Sequence, residues 1–181
     1  LYLMILKDTQ IQGAFLIEHD SYPDERGLFY EIIDKDLLNQ LDNLQLNKVN
    51  ISKSKSGVLR GLHYQIVEPQ NKFVSCIKGK VIDFAIDIRK KSDTFGKFIQ
   101  IELNENKSET LFLPAGVAHG FLSLSDSILL YLVSGTYLKE FERGINYKSI
   151  DLHLPEEPSI INERDINWPN FKEAEYYEED L

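Results

Sequence analysis

Two histidines and a tyrosine are the residues of this chain best suited to moving a proton. His63 lies in "GVLRGLHYQ", residues 57–65, three positions after Arg60. His119 lies in "LFLPAGVAHGFLSLS", residues 111–125, where a proline and two glycines surround it. Imidazole is the side chain whose ordinary pKa lies nearest neutrality, so a histidine at a strand's mouth can take a proton from a carbon next to a carbonyl. If that carbon is to invert, an acid must return a proton from the other face. Tyr131, in "SILLYLVSGTY", shares a strand face with Leu129 and Val133, and its phenol is either that acid or a core tyrosine with a hydrogen-bond partner. Metal chemistry fits less well, because a site needs three or four donors and His63 is followed by Tyr-Gln-Ile, with no second histidine beside it.

The elements that must position these groups are strands. Alternation from residue 58 to 64 puts Val58, Arg60 and Leu62 on one face and Leu59, Gly61 and His63 on the other, so Arg60 and His63 are expected to point in opposite directions. In "VIDFAIDI", residues 81–88, Ile82, Phe84, Ile86 and Ile88 form an apolar face, while Asp83 and Asp87 share the other with Val81 and Ala85. The simpler expectation is that this second face meets solvent; the alternative is a polar barrel interior in which an aspartate orients a histidine. Similar short segments occur at 13–18, 27–33, 46–52, 72–77, 98–103, 110–113, 120–123 and 128–134, separated by turn chemistry such as "KGK" and "SDS". That is too many strands for one open sheet, and an all-β jelly roll of the cupin type, two sheets closed on each other, would remove most of the edges. Two peripheral helices are expected, at 36–44 on a stripe of Leu37, Leu38, Leu41 and Leu44, and at 169–179, which opens on a proline.

A chain of 181 residues suits one domain, 1–181, with a substantial core. Its net charge of −9 argues against nucleic acid as a partner, since a polyanion needs a dense basic patch. A small anionic ligand needs only a few cations, and Arg60 and Lys72 supply them mid-chain, while the acidic run from Glu173 to Asp180 reads as a solvated face. Apolar runs such as 128–133 are too short to span a bilayer, and Lys7, Asp8 and Gln10 interrupt the start before any signal-peptide pattern, so a cytoplasmic protein without membrane association is expected. Cys76, within the apolar alternation 73–77, reads as a buried, inert thiol. Leu1 to Leu3 precede the only methionine, Met4, and are set aside.

Taken in order, "DERGLFYE" (24–31), "NKVNISKSKSGVLRGLHYQ" (47–65), "PQNKFVSCIKGKVIDFAIDIRKKSDTFGK" (69–97), "LPAGVAHGF" (113–121) and "YLVSGTYLKEFERGI" (131–145) resemble the dTDP-4-dehydrorhamnose 3,5-epimerase family over nearly the whole chain. The resemblance implies a cupin jelly roll, a homodimer, no metal or organic cofactor, and inversion of C3 and C5 in a 4-keto-6-deoxy sugar carried on a nucleoside diphosphate. It assigns His63 as the base, Asp165 of "NERD" as its partner and Tyr131 as the proton donor, while Lys72 and His119, which match positions around the bound ligand, are suited to stabilise the oxyanion that forms at the C4 oxygen. Tyr137 is the fallback acid, or else a contact to the nucleotide. Arg26, Glu31, Lys48, Asn50, Arg60, His119, Glu142 and Arg164 match positions around the bound sugar nucleotide. For Arg60 to join His63 there, a bulge, strand twist or a partner subunit's site is required. The chain departs from the family's usual residues at Lys48 (commonly glutamine), Arg164 (commonly lysine) and His153-Leu154-Pro155 (commonly Trp-Pro), leaving base and acid untouched. The expected activity is therefore epimerisation of a nucleotide-linked 4-keto-6-deoxy sugar, most simply the dTDP sugar on the rhamnose route. The alternatives are a single-carbon epimerase, an enzyme of GDP- or CDP-linked sugars, a non-catalytic sugar-nucleotide-binding cupin, or a metal-dependent cupin.

Overall fold

Short alternating segments bounded by Gly, Asn and Ser turns fold here as antiparallel strands, and the strands stack into two facing sheets. The computed structural model describes residues 4–178, so Leu1 to Leu3 and the end of the acidic tail at 179–181 lie outside the described residues. In chain order the strands begin with β1 (Ile5–Asp8), β2 (Phe15–Glu18), β3 (Ser21–Asp24) and β4 (Gly27–Tyr30). Helix α1 (Lys35–Gln40) precedes β5 (Lys48–Ser54), β6 (Val58–Gln65), β7 (Lys72–Lys78) and β8 (Lys80–Asp87). Then come β9 (Phe98–Asn104), β10 (Glu109–Leu113), β11 (Val117–Ser123), β12 (Ser127–Val133), β13 (Glu142–Gly144), β14 (Ile160–Ile161) and helix α2 (Glu163–Ile166). One sheet has the order β1-β2-β10-β7-β12-β5; the other runs β13-β6-β11-β8-β9, with β14 added parallel to β6. This is the all-β jelly roll expected, with β3–β4 standing apart as a hairpin. Each expected strand segment contains a strand, whereas β1, β3, β13 and β14, too short or too polar to show alternation, were not anticipated.

Leu111, Leu113, Val74, Cys76 and Leu129 from the sheet of β7, β10 and β12 meet Val81, Ala85, Ile99, Leu103, Val117 and Phe121 from the sheet of β8, β9 and β11 to form the core between the sheets. Cys76 is buried there, and burial raises its thiol to about 11, which keeps it unreactive. The strand 81–88 is buried on both faces. Phe84, Ile86 and Ile88 are covered from outside by Ile145, Tyr147, Ala174 and Tyr177, while Asp83 and Asp87 point inward with no exposure at all. The expectation that the aspartate face meets solvent is thus corrected: the C-terminal chain covers the apolar face, and the polar face lines the interior.

The helices differ from expectation for local reasons. Asp34 caps α1 by accepting from the Leu37 N–H at 2.7 Å, but the helix stops at Gln40 because Asp42 and Asn43 adopt φ of 54° and 56°. No helix fills 169–178. Only a short 3₁₀ turn forms at Phe171–Glu173, after which Tyr177 pairs its backbone with Ile88 O at 3.0 Å and Lys90 N at 2.8 Å. The acids of this segment do face solvent, Glu173, Glu175 and Glu178 all being exposed, but Ala174 and Tyr177 between them are buried and the Tyr64 hydroxyl donates to Glu175 O at 2.6 Å. Covering the sheet with aromatic side chains and extending its edge satisfies more groups than an isolated surface helix would.

Candidate active site

β6 presents both Arg60 and His63 to the interior through a shift in its pairing with β11. Against β11, His63 lies opposite His119 but Arg60 lies opposite Phe121, so β6 uses three steps where β11 uses two. That extra residue is a β-bulge, and it reverses the side-chain alternation between Arg60 and His63. Both therefore face the interior, and Leu59 and Leu62 both face the outer core. The opposite-face expectation is corrected by one inserted residue. Glycine makes the bulge possible: Gly61 has φ of 108°, and a Cβ on it would stand 2.6 Å from Gly120 Cα and 2.6 Å from His119 O. A Cβ on Gly120 would in turn lie 2.7 Å from Arg60 O.

Between the sheets opens a cavity of about 270 Å³. Lys48, Asn50, Lys72, Tyr131 and Tyr137 line it together with Arg60, His63, His119 and Glu142. The two sheets contribute different chemistry. His63 on β6 and His119 on β11 come from one sheet, whereas Lys72 on β7, Tyr131 on β12 and Asn50 on β5 come from the other, where Tyr131 sits opposite Asn50. Asp165 and Arg164 reach the same place from α2. Asn162 caps this short helix by accepting from Asp165 N at 2.7 Å, which turns the Asp165 carboxylate onto β6.

Asp165 is fully buried and uses both oxygens: one accepts from His63 Nε2 at 2.7 Å and the other from the Gly61 N–H at 3.0 Å. Burial works to raise its pKa, but the His63 hydrogen bond and charge, the Gly61 N–H and nearby Arg164 outweigh it and hold the carboxyl below its ordinary value. Asp165 is therefore an anion that accepts the Nε2–H hydrogen bond and leaves His63 Nδ1 for a ligand. His119 is bound in the same fashion, its Nε2 lying 2.8 and 2.9 Å from the two oxygens of buried Asp83, whose own pKa is raised by burial against the pull of His119 and Lys72. The Lys72 ammonium is lowered to about 8 by burial, partly offset by Asp83 and Glu142. Burial pushes the Tyr131 phenol well up, with Asp83 adding to the effect and Arg60 opposing it, so the phenol keeps its proton. The Tyr131 ring stands edge-on to His119 with centroids 6.0 Å apart.

At the mouth, the exposed Tyr137 hydroxyl donates to Glu142 Oε2 at 3.0 Å, with Lys48 Nζ 5.5 Å from the ring centroid. Arg60 donates through Nε to Ser54 Oγ at 3.0 Å and through Nη2 to Lys53 O at 3.3 Å. Arg26 and Glu31 lie elsewhere: they belong to the β3–β4 hairpin and the residues just after it, outside the cavity of their own chain, with Arg26 ion-paired to Asp24. Trp168 was not singled out from sequence. Its ring packs edge-on to His63 at 6.4 Å between centroids and lies so close over Gly144 that a Cβ there would meet its Nε1 at 2.3 Å. A lone tryptophan preceding a proline offered no signal beyond its rarity. Among the described residues, no three His, Cys, Asp or Glu side chains converge as a metal site requires, and no helix is long and apolar enough to cross a membrane.

Residues 8–173 match the sequence model of the dTDP-4-dehydrorhamnose 3,5-epimerase family. A dTDP-4-dehydrorhamnose 3,5-epimerase from Shigella flexneri is 40% identical over 176 residues, which cover 93% of this chain and 97% of that protein. Among solved structures, the dTDP-4-dehydrorhamnose 3,5-epimerase from Sulfolobus tokodaii matches with a TM-score of 0.88 and 36% identity, covering 97% of this chain and 99% of that one. The dTDP-6-deoxy-D-glucose-3,5-epimerase of Legionella pneumophila, crystallised in complex with dTDP-4-keto-L-rhamnose, matches with a TM-score of 0.91 and 33% identity, covering 99% of this chain and 100% of that one.

Proposed function

The chain belongs to the dTDP-4-dehydrorhamnose 3,5-epimerase family, and from that membership we propose that its cavity inverts C3 and C5 of a 4-keto-6-deoxy sugar carried on dTDP, with His63 as base and Tyr131 as acid. The opposition of two walls carries this function. His63 projects from the sheet of β6 and β11 and Tyr131 from the facing sheet of β5, β7 and β12 into one cavity, so a sugar ring held between them meets an imidazole on one face and a phenol on the other. Inversion at carbon needs that arrangement.

The 4-keto group acidifies the C–H bonds on either side of it. His63 takes the proton through Nδ1 while Asp165 holds the Nε2–H and stabilises the imidazolium that forms. Negative charge then builds on the C4 oxygen, and the Lys72 ammonium, still protonated at neutral pH but a stronger acid than an exposed lysine, donates to it. Tyr131 returns a proton to the opposite face; His63 then releases its proton to solvent, the Tyr131 phenolate regains one from it, and repetition at the second carbon completes the reaction. Arg60 and Arg164 are suited to the diphosphate oxygens, with Lys48 adding charge at the mouth; Tyr137 offers a ring to the base, while Asn50, His119 and Glu142 contact the sugar.

A homodimer is part of this proposal. Val49 and Ile51 on edge strand β5, Ile77 on β7 and Tyr22, Leu28 and Phe29 on the hairpin are all exposed apolar residues, and a second copy of the chain would cover them. The hairpin would then carry Arg26 and Glu31 to the partner's cavity, which their distance from their own cavity otherwise leaves unexplained. A cytoplasmic location accords with a nucleotide-sugar substrate.

The test is incubation of the purified, chelator-treated protein with dTDP-4-keto-6-deoxyglucose in deuterated water, following the C3 and C5 proton signals by NMR. Exchange at both carbons with formation of the inverted sugar is expected. Exchange at one carbon would convert the assignment to a single-site epimerase, and no exchange with this sugar would overturn it.

A further inference from the structure

Arg164 makes more contacts within the catalytic pair than a ligand-binding cation requires. Its Nη2 lies 3.3 Å from His63 Nε2, its Nε lies 3.5 Å from Asp165 Oδ1, and its Nη1 donates to Glu142 Oε2 at 2.8 Å. The guanidinium carbon is 5.8 Å from the Trp168 ring centroid, the same ring that packs edge-on to His63. The guanidinium is thus anchored on Glu142 from β13 and on the Trp168 face, with one edge laid along the His63–Asp165 hydrogen bond.

We infer that Arg164 is a positioning residue for the base, whose fixed charge, laid along the His63–Asp165 hydrogen bond, opposes the imidazolium that the carboxylate on its other side favours. The inference rests on His63 being the base. Asp165 alone would favour imidazolium, and a base that is already protonated cannot abstract. A cation at this distance disfavours imidazolium, and the two neighbours oppose each other. Several other groups face His63: Arg60 on its own strand, His119 directly opposite on β11, Glu142 on β13, and Lys72, Tyr131 and Tyr137 across the cavity. Of these cations, Arg164 is the one in contact with the His63–Asp165 hydrogen bond. Lysine, a compact point charge, would supply the cation without the fork that spans Glu142 and the pair together.

The experiment is an NMR titration of the His63 imidazole in the ligand-free protein, assigned by loss of its signals in His63→Asn, for wild type, Arg164→Gln and Arg164→Lys. Arg164→Gln removes the charge and should move the His63 midpoint upward by at least about half to one pH unit, the size expected from a charge in contact with the ring that solvent strongly screens. Arg164→Lys should restore most of the wild-type midpoint. The same upward movement should appear when Arg164→Gln is made in a Glu142→Gln background, where a released carboxylate cannot be its source. The acid limb of kcat/KM should follow the titration. An unchanged midpoint in Arg164→Gln, with KM alone raised, would overturn the inference and leave Arg164 as a ligand contact. Because the titration is read without substrate, the two failures are distinguishable: a wild-type protein that exchanges no sugar proton removes the role of His63 as base whatever its midpoint does, whereas an unchanged midpoint in an active protein overturns only the part given to Arg164.

Discussion

Replacing Asp165 with asparagine changes one atom and tests how the base is held. The carboxylate is fully buried and accepts two hydrogen bonds, from His63 Nε2 at 2.7 Å and from Gly61 N–H at 3.0 Å. An amide has one acceptor oxygen. If that oxygen keeps the Gly61 N–H, the NH₂ group faces Nε2, which must then give up its proton, and the imidazole carries hydrogen on Nδ1, the nitrogen that should abstract. If the oxygen keeps Nε2–H instead, the NH₂ group opposes the Gly61 N–H and a buried donor is left unpaired. A hydrogen bond to a charged partner is worth about 1.5–3 kcal/mol, and the lost carboxylate also ceases to stabilise the imidazolium. Together these should raise the barrier by at least about 3 kcal/mol, a loss of upwards of about a hundredfold in kcat. KM should change little. The assay is single-turnover deuterium exchange at C3 and C5 followed by NMR, with a urea melt to confirm folding. A folded Asp165→Asn protein within tenfold of wild type would refute the assignment of Asp165 as the group that sets the His63 tautomer.

Tyr131→Phe should retain the first deuterium exchange while losing inverted product, because abstraction needs His63 and return from the other face needs the phenol; an unchanged product ratio would move the acid role to Tyr137 or water. Gly61→Ala should destabilise the fold by about 2–4 kcal/mol in urea denaturation, since it combines a left-handed φ with a collision against the β11 backbone. Because His63 and Arg60 flank the bulge, residual folded protein should also be inactive. His19, buried beside Thr110 of β10 and against Tyr30, has its pKa lowered to about 4 by burial, while the unfolded chain takes up that proton near 6.5. The unfolded state therefore binds more protons between these values, and stability falls as pH drops through that window by up to about 3 kcal/mol. Urea midpoints measured from pH 7 to 4 should fall less steeply in a His19→Gln variant; parallel curves would show that His19 is not the source.

Much of the fold was legible because its signals are local. The period-two alternation of β6, β8 and β12 and the turn residues between them locate the strands without any tertiary knowledge. The places where the sequence misled all involve a decision made elsewhere in the chain. Alternation assumes a strict period of two, and the single residue inserted at Gly61 exchanges faces for everything beyond it. The glycine was visible, but its collision partner, Gly120, comes from a strand about sixty residues away. In "VIDFAIDI" the pattern correctly separates two faces, yet it cannot say which is inside when Tyr147, Ala174 and Tyr177 arrive from the C-terminal chain to bury the apolar one. Asp165 and Arg164 sit in a four-residue helix with no periodicity to read, so they were reached through family resemblance alone.

The interior placement of the polar faces is what converts a jelly roll into a site. A β-sandwich interior is ordinarily apolar, and each ion buried in it is unfavourable unless paired. Here the charges come as opposed sets: Asp83 lies against His119 and near Lys72, and Asp165 lies against His63 and Arg164. Each set has an anion fixed by a neighbouring strand or helix and a proton-bearing group turned toward the cavity. Removing one partner should therefore disturb the protonation of the other before it disturbs the fold. Asp83→Asn tests this: Lys72 loses the charge that partly offsets its burial, so its pKa should fall further below about 8 and the alkaline limb of kcat should move to lower pH. An alkaline limb that stays in place, or rises, would show that Lys72 does not donate to the oxyanion in its protonated form.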